Sequence, residues 1–217
     1  MRGPDKRSAG DLPRNEVAGS GVRPDTAAAA GDRLTKNAPL ALRVATMADV
    51  SALNAMIAES ARALSAGYYA PAQVEAPVTH VFGVDTHLVT DGTYYVIDAP
   101  DGAPAAAGGW SSRRALYGGD QMASHDTTDE RLDPARDAAK IRAFFVHPAF
   151  ARRGLARRLY AECVGAARAA GFRRIELMAT LPGEPVYRAL GFSEIERSEA
   201  TLPGGVVIPL VRMARAV

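Results

Sequence analysis

Ala139-Lys140-Ile141-Arg142-Ala143-Phe144-Phe145-Val146-His147-Pro148-Ala149-Phe150-Ala151-Arg152-Arg153-Gly154-Leu155-Ala156 is the stretch on which the fold turns. Its first half, Ala139 to Val146, is the strongest strand signal in the chain, centred on Ile141, Phe144 and Phe145. Pro148 ends that strand, because it has no N–H to donate to a ladder. A helix then runs from about Arg153 to Ala170. Leu155, Leu159, Cys163 and Ala166 recur on one face, and Gly171 supplies the stop. The opening N–H groups of such a helix have no internal partner and lie at the positive end of its dipole. Gly154 has no Cβ, so an anion can approach the backbone closely. Arg152 and Arg153 add charge-assisted donors, and the whole reads as a cradle for a phosphate or pyrophosphate.

Outward from this stretch the order of elements emerges. Downstream, Arg174 to Thr180 is a strand and Pro185 to Leu190 a short helix stopped by Gly191. Phe192 to Glu196 and Val206 to Met213 form a closing hairpin around Pro203-Gly204-Gly205. Upstream, Leu40 to Ala45 is a short strand. Thr46 and Asp49 open a helix as a capping box with Asp in place of Glu, and Val50, Leu53, Met56, Ile57 and Ala61 follow at helical spacing to Gly67. Pro71 to Val78 is a second short helix, broken by Pro77. Thr93 to Asp98 and Pro104 to Ser112 are strands joined at Asp101-Gly102. Arg113 to Ala138, about 26 residues without a period, exceeds the usual loop length and points to a functional or mobile segment. The alternation of strands and helices makes an α/β protein, a mixed sheet with helices on its faces.

Composition bounds the remaining possibilities. The 217 residues are 47% hydrophobic and 23% charged, enough to bury a sizeable core. A net charge of +2 gives no field that would argue for nucleic acid or an acidic membrane. One cysteine excludes an internal disulfide framework, and its place on the helix's apolar stripe marks Cys163 as a buried structural thiol. No apolar run approaches the roughly 20 residues of a membrane span. Residues 1–38 carry few large aliphatics and are expected to form a disordered tail, leaving 39–217 as the folded domain. His80, His87, His125 and His147 lack ligand spacing, so no metal is expected, and a cytoplasmic location is the default. A P-loop and a dinucleotide-binding glycine motif are both missing.

Phe145 to Ala156, followed by Tyr187-Arg188-Ala189-Leu190-Gly191-Phe192, resembles the GNAT superfamily of acyl-CoA-dependent N-acyltransferases. In element order the resemblance runs from about Leu42 to Met213, and in motif it is specific from Ile141 to Phe192. It implies a mixed, mostly antiparallel central sheet with helices on both faces. It implies acetyl-CoA as cosubstrate, with no metal, and a small amine as acceptor, in a monomer or homodimer. Gly154 and Ala156 stand at the family's Gly and Gly/Ala positions, with Arg152 and Arg153 before them; Ala151 departs from its preferred Arg or Gln. Leu155 and Arg157 belong to the same helix start. Phe144, Phe145 and Val146 match the strand that lines pantetheine, which in the family is splayed from its neighbour. Thr180 stands near a polar position after the second strand. Tyr187 matches the general acid that protonates the departing thiolate.

The resemblance leaves the acceptor side open. Tyr68, Tyr69, Gln73 and Trp110 are the candidate substrate-facing residues. No general base is assigned: the strand from Ala139 to Val146 holds no carboxylate, Glu176 and His147 lie nearby, and a water relay serves equally. A non-catalytic acyl-CoA-binding or regulatory module is the alternative reading, motivated by the missing carboxylate and by Ala151. A nucleic-acid surface built on Arg152, Arg153, Arg157 and Arg158 is disfavoured by the near-neutral net charge.

Overall fold

The structure, a computed structural model, describes residues 40–122 and 130–217. The expected tail at 1–38 lies outside the described residues, as do His125, Asp126 and Asp129. The described residues begin with β1 (Leu42–Val44), then α1 (Val50–Leu64), α2 (Pro71–His80) and α3 (Thr86–Thr90). The hairpin of β2 (Tyr94–Asp98) and β3 (Pro104–Ser111) follows, then β4 (Ala139–Val146) and α4 (Leu155–Ala169). β5 (Arg174–Thr180), α5 (Glu184–Ala189), β6 (Ser193–Leu202) and β7 (Val206–Ala216) complete it. The strands form one sheet in the order β1-β2-β3-β4-β5-β7-β6. Only the β4–β5 pair is parallel; the rest are antiparallel, as the expected fold class requires.

Alternation along the strands sorts the core into two layers. On β2, Tyr94 and Val96 pack with Leu53, Met56 and Ile57 of α1 and Leu88 and Val89 of α3. Tyr95 and Ile97 face the other way, toward Leu155, Leu159, Cys163 and Ala167 of α4. That stripe on α4 recurs every three to four residues, which is why the sequence shows it so plainly. Cys163 is fully buried and burial pushes its thiol up, so it packs as a small apolar side chain.

Several local readings need correction. α2 does not break at Pro77 but runs on to His80. Pro77 gives up its own N–H, yet its carbonyl accepts from both Val81 N (2.8 Å) and Phe82 N (2.7 Å), and the ring is buried. α3 has no counterpart in the sequence reading, because five residues are too few to show a period; Asp85 caps it by accepting from His87 N at 3.0 Å. β6 extends to Leu202 rather than ending at Glu196. Its later residues, Arg197 to Thr201, are mostly polar and sit on a sheet edge, where pairing with β7 rather than burial holds the strand. The Thr46–Asp49 box forms as expected: Asp49 accepts from Thr46 N at 2.7 Å, and also takes Arg43 at 2.8 Å.

One irregularity in the sheet matters most. Ala107 opposes Phe145 and Gly109 opposes Arg142, so Ala143 and Phe144 together face the single residue Gly108. This is a β-bulge, with Ala143 at a φ of 52°, in the left-handed region. Two features hold it. The Phe144 ring lies over Gly108, where an added Cβ would come within 2.5 Å of it. The Tyr94 hydroxyl, fully buried, donates to the Ala143 carbonyl at 3.1 Å. Tyr94→Phe should therefore destabilise the protein by about 1–3 kcal/mol, the cost of a buried carbonyl left without its donor. Urea denaturation measures this, and a loss under about 0.5 kcal/mol would remove Tyr94 as the pin of the bulge.

Candidate active site

Ahead of the bulge, β4 leaves β5. The two pair only at Ala139↔Ile175 and Lys140↔Glu176, and then diverge. A cleft of about 890 Å³, its open mouth included, fills the gap. Ile141 to Phe145 line one wall, with Met178 and Thr180 of β5 opposite. Tyr187 of α5 closes one side; Phe82 at the end of α2, Tyr117, and Leu202 and Leu210 of the β6–β7 hairpin close others. Strand alternation leaves open polar groups in the gap. His147 N donates to Ala105 O at 2.9 Å, toward β3, so the N–H of its neighbour Val146 points to the β5 side. The Val146 carbonyl is taken by the Ser60 hydroxyl of α1 at 2.8 Å.

At the end of β4 the chain makes a single tight turn, Pro148 to Phe150, and enters α4. Arg152 has a φ of 63° and Gly154 a φ of 79°, both left-handed. Left-handed backbone on either side of Arg153 bends this segment sharply, a conformation suited to a nest of backbone N–H groups that takes an anion. The first helical N–H groups, at Leu155, Ala156 and Arg157, have no acceptor earlier in the helix. An added Cβ at Gly154 meets nothing within 4 Å, so the space over the loop is open. Arg152, Arg153 and Arg157 are exposed around it, and the Arg153 guanidinium stacks on Phe150 at 5.2 Å. The Leu155 side chain is buried in the core, so only its backbone faces the loop. The residues present fit a diphosphate: dipole, nest and cations converge on one open surface.

Tyr187 is set by the short helix α5. Its ring meets Phe192 edge-on at 5.8 Å, and the N–H of Phe192 returns to the Tyr187 carbonyl at 3.0 Å. Glu184 and Glu194 each accept from both Arg188 and Arg197, tying α5 to β6. The side chain remains partly accessible where it lines the cleft, while burial around it pushes the phenol well above its ordinary range. It therefore stays protonated at every physiological pH.

The acceptor-side candidates scatter. Tyr69 donates to Pro209 O at 3.0 Å and accepts from Leu181 N at 2.9 Å; Gln73 donates to Val207 O at 2.7 Å and accepts from Ala70 N at 3.1 Å. Both side chains clamp the α1–α2 connection onto the β7 region. Tyr68 is half exposed. Trp110 sits in the core, edge-on to Phe172 at 6.0 Å, and is absent from the cleft lining. Of the groups considered as a base, Glu176 is held by Lys140 and Arg212, both at 2.9 Å. Burial works to raise its carboxyl, but these two hydrogen bonds and their charges prevail and leave it below the usual range. His147 accepts from Ala149 N at 3.2 Å and faces Glu59 at 3.3 Å, a turn-closing position.

Sequence reasoning missed Ser60, Tyr94 and Arg142. Arg142 is 6% exposed and lines the cleft. Its guanidinium pairs with Asp85 at 2.6 Å and donates to Gly118 O. A second cation two residues after Lys140 in a buried strand was the available signal, but its partners come from α3's cap and from the long loop, which no local pattern links to β4. Among the described residues no group of His, Cys, Asp and Glu is arranged to hold a metal, and no helix is long and apolar enough to cross a membrane.

Comparison with known proteins agrees with this fold. Solved structures share the fold. A GCN5-related N-acetyltransferase from Rhodopseudomonas palustris superposes with a TM-score of 0.61 at 16% identity, over 83% of this chain and 97% of that one. PaiA N-acetyltransferase from Thermoplasma acidophilum, solved with coenzyme A, gives 0.54 at 11% identity, over 82% and 99%. A phosphinothricin acetyltransferase of the GNAT superfamily from Sinorhizobium meliloti, solved with acetyl-CoA, gives 0.54 at 21% identity, over 82% and 88%. No curated protein matches by sequence. The model of the acetyltransferase (GNAT) family matches residues 64–192, which carry the bulged strand, the nest and Tyr187, and the chain belongs to that family.

Proposed function

We propose that the protein transfers an acetyl group from acetyl-CoA to the amine of a small molecule or peptide, directly and without a covalent enzyme intermediate. The observation that carries this reading is the continuity of two features. β4, whose Ile141 to Phe145 wall the cleft, runs on through one tight turn to Arg152–Gly154, so a single segment offers places for an extended thiol arm and its diphosphate. Acetyl-CoA, when bound, supplies the acetyl group activated as a thioester. Arg152, Arg153, Gly154, Leu155, Ala156 and Arg157 would hold its diphosphate, the last three through backbone N–H groups. Phe144, Phe145, Val146 and Thr180 would line its arm. Family membership and the acetyl-CoA and CoA complexes of structural neighbours support the choice of donor. The cytoplasmic location expected from the sequence belongs to the same proposal.

The chain's own groups suit the chemistry. The N–H of Val146, aimed into the gap, is a donor for a carbonyl oxygen that takes up negative charge. The amine nitrogen forms its bond to the acetyl carbon and gives up one N–H proton to water as the C–S bond breaks; the thiolate takes a proton from the Tyr187 hydroxyl, which solvent then reprotonates. The amine must arrive neutral, its proton passing to water, since the described lining of the cleft offers no carboxylate or imidazole.

Two substitutions test this reading. Tyr187→Phe should lower kcat by about 10²–10⁴-fold, the usual span for a lost general acid, with little change in acetyl-CoA affinity. In the wild type, kcat should show no loss from Tyr187 deprotonation below about pH 10, because the raised phenol keeps its proton there. Unchanged turnover in the variant would take Tyr187 out of the mechanism. Gly154→Glu should cost only about 1–2 kcal/mol of stability, from a left-handed backbone, yet abolish CoA binding by filling the nest with a carboxylate. Calorimetric titration with CoA checks this, and intact binding in the folded variant would refute the nest assignment.

A further inference from the structure

The cleft is apolar on most of its acceptor side. Pro77, Val81, Phe82, Leu116 and Leu202 contribute no charge, and the one charged side chain among the described lining residues is Arg142. That arginine is unusual for a wall residue. It is more than nine-tenths buried, with Nη1 on Asp85 and Nη2 on the Gly118 carbonyl. Its third donor position, the Nε–H, is buried and has no acceptor among the described residues. A buried donor without a partner is a destabilising feature, and it is relieved when an oxygen arrives. Asp85 does not supply that oxygen: it takes the neighbouring Nη1 at 2.6 Å through Oδ2, while its Oδ1 caps α3 at His87 N, 3.0 Å.

Resting on the acetyltransferase reading, we propose that Arg142 selects the acceptor: its Nε–H takes an oxygen of the incoming amine. The substrate class is then an amine with an apolar body and a carboxylate or carbonyl oxygen, as in an apolar amino acid, its amide or a short apolar peptide. A polyamine is the wrong class. It would bring a second positive charge beside a guanidinium into an apolar cleft that offers no described carboxylate to meet it, and desolvating that charge opposes binding.

The test compares matched acceptors with the full-length protein: L-phenylalanine, L-phenylalaninamide, 2-phenylethylamine and spermidine. Either oxygen-bearing amine should exceed 2-phenylethylamine and spermidine in kcat/KM by about tenfold or more, the worth of one charge-assisted hydrogen bond. Phenylalanine ahead of its amide identifies a carboxylate; the reverse order identifies a neutral carbonyl. Calorimetric binding of each amine to the CoA-saturated protein should follow the same order. Arg142→Lys keeps a cation for Asp85 but loses the Nε–H, and should collapse the preference mainly through KM. Should that variant misfold, Arg142→Met with Asp85→Asn removes the buried charge pair together while leaving an acceptor to cap α3, and the preference should again vanish. Intact CoA binding with 2-phenylethylamine or spermidine equal or preferred, or with no amine acetylated, would overturn the inference and leave the donor site standing. Failure to bind CoA would overturn the donor reading and this inference with it.

Discussion

Everything distinctive in this protein follows from β4 parting from its parallel neighbour after two residue pairs. A parallel pair is ordinarily buried and continuous. Here the bulge at Ala143–Phe144 bends β4, and the Tyr94 hydroxyl and the Gly108 surface hold the bend in place. The consequence is a gap inside the sheet, lined by strand backbone whose N–H groups no longer have a ladder partner. Such groups are costly to leave dry and unpaired. A ligand with its own hydrogen-bonding backbone can complete the sheet there, which converts a defect in the fold into a binding groove.

The same strand connects the gap to the proposed diphosphate site. β4 runs directly into the turn at Pro148 and then into α4, so the strand that lines the groove also delivers the helix N-terminus. Left-handed backbone at Arg152 and Gly154 shapes the nest, and the buried Leu155, Leu159 and Cys163 stripe anchors the helix behind it. Rigid packing on one side and an open anion site on the other are thus properties of one continuous segment. Ion pairs elsewhere serve positioning. Lys140 and Arg212 lock Glu176 where β4 and β5 still pair, and the Glu184–Arg188–Glu194–Arg197 cluster holds α5 against the sheet edge.

How far the sequence could be read depended on how local the information was. The bounds of β4 and β5, the α4 stripe and the Gly154 turn were legible because strand composition, helical period and glycine placement are properties of a few neighbouring residues. The turn into α4 and the short helix that carries Tyr187 were legible for the same reason, and their spacing carried the proposed site. α3 was not legible, being shorter than two helical periods, nor was the outer half of β6, which an edge position frees from any need for apolar residues. The acceptor side was the least accessible. Tyr69 and Gln73 have the chemistry of substrate contacts, yet their hydrogen bonds go to backbone more than 100 residues away in sequence. Arg142 acquires its role only through Asp85 and Gly118, which the fold brings to it from distant segments.

The central claim is that the divergence of β4 and the nest beyond it form one continuous donor site. Amide hydrogen exchange with and without acetyl-CoA tests it most directly. The account predicts that acetyl-CoA slows exchange together in two segments, residues 141–146 and 152–157, while the β1–β2 edge stays unchanged. Protection confined to another part of the molecule, or none at saturating acetyl-CoA, would contradict it.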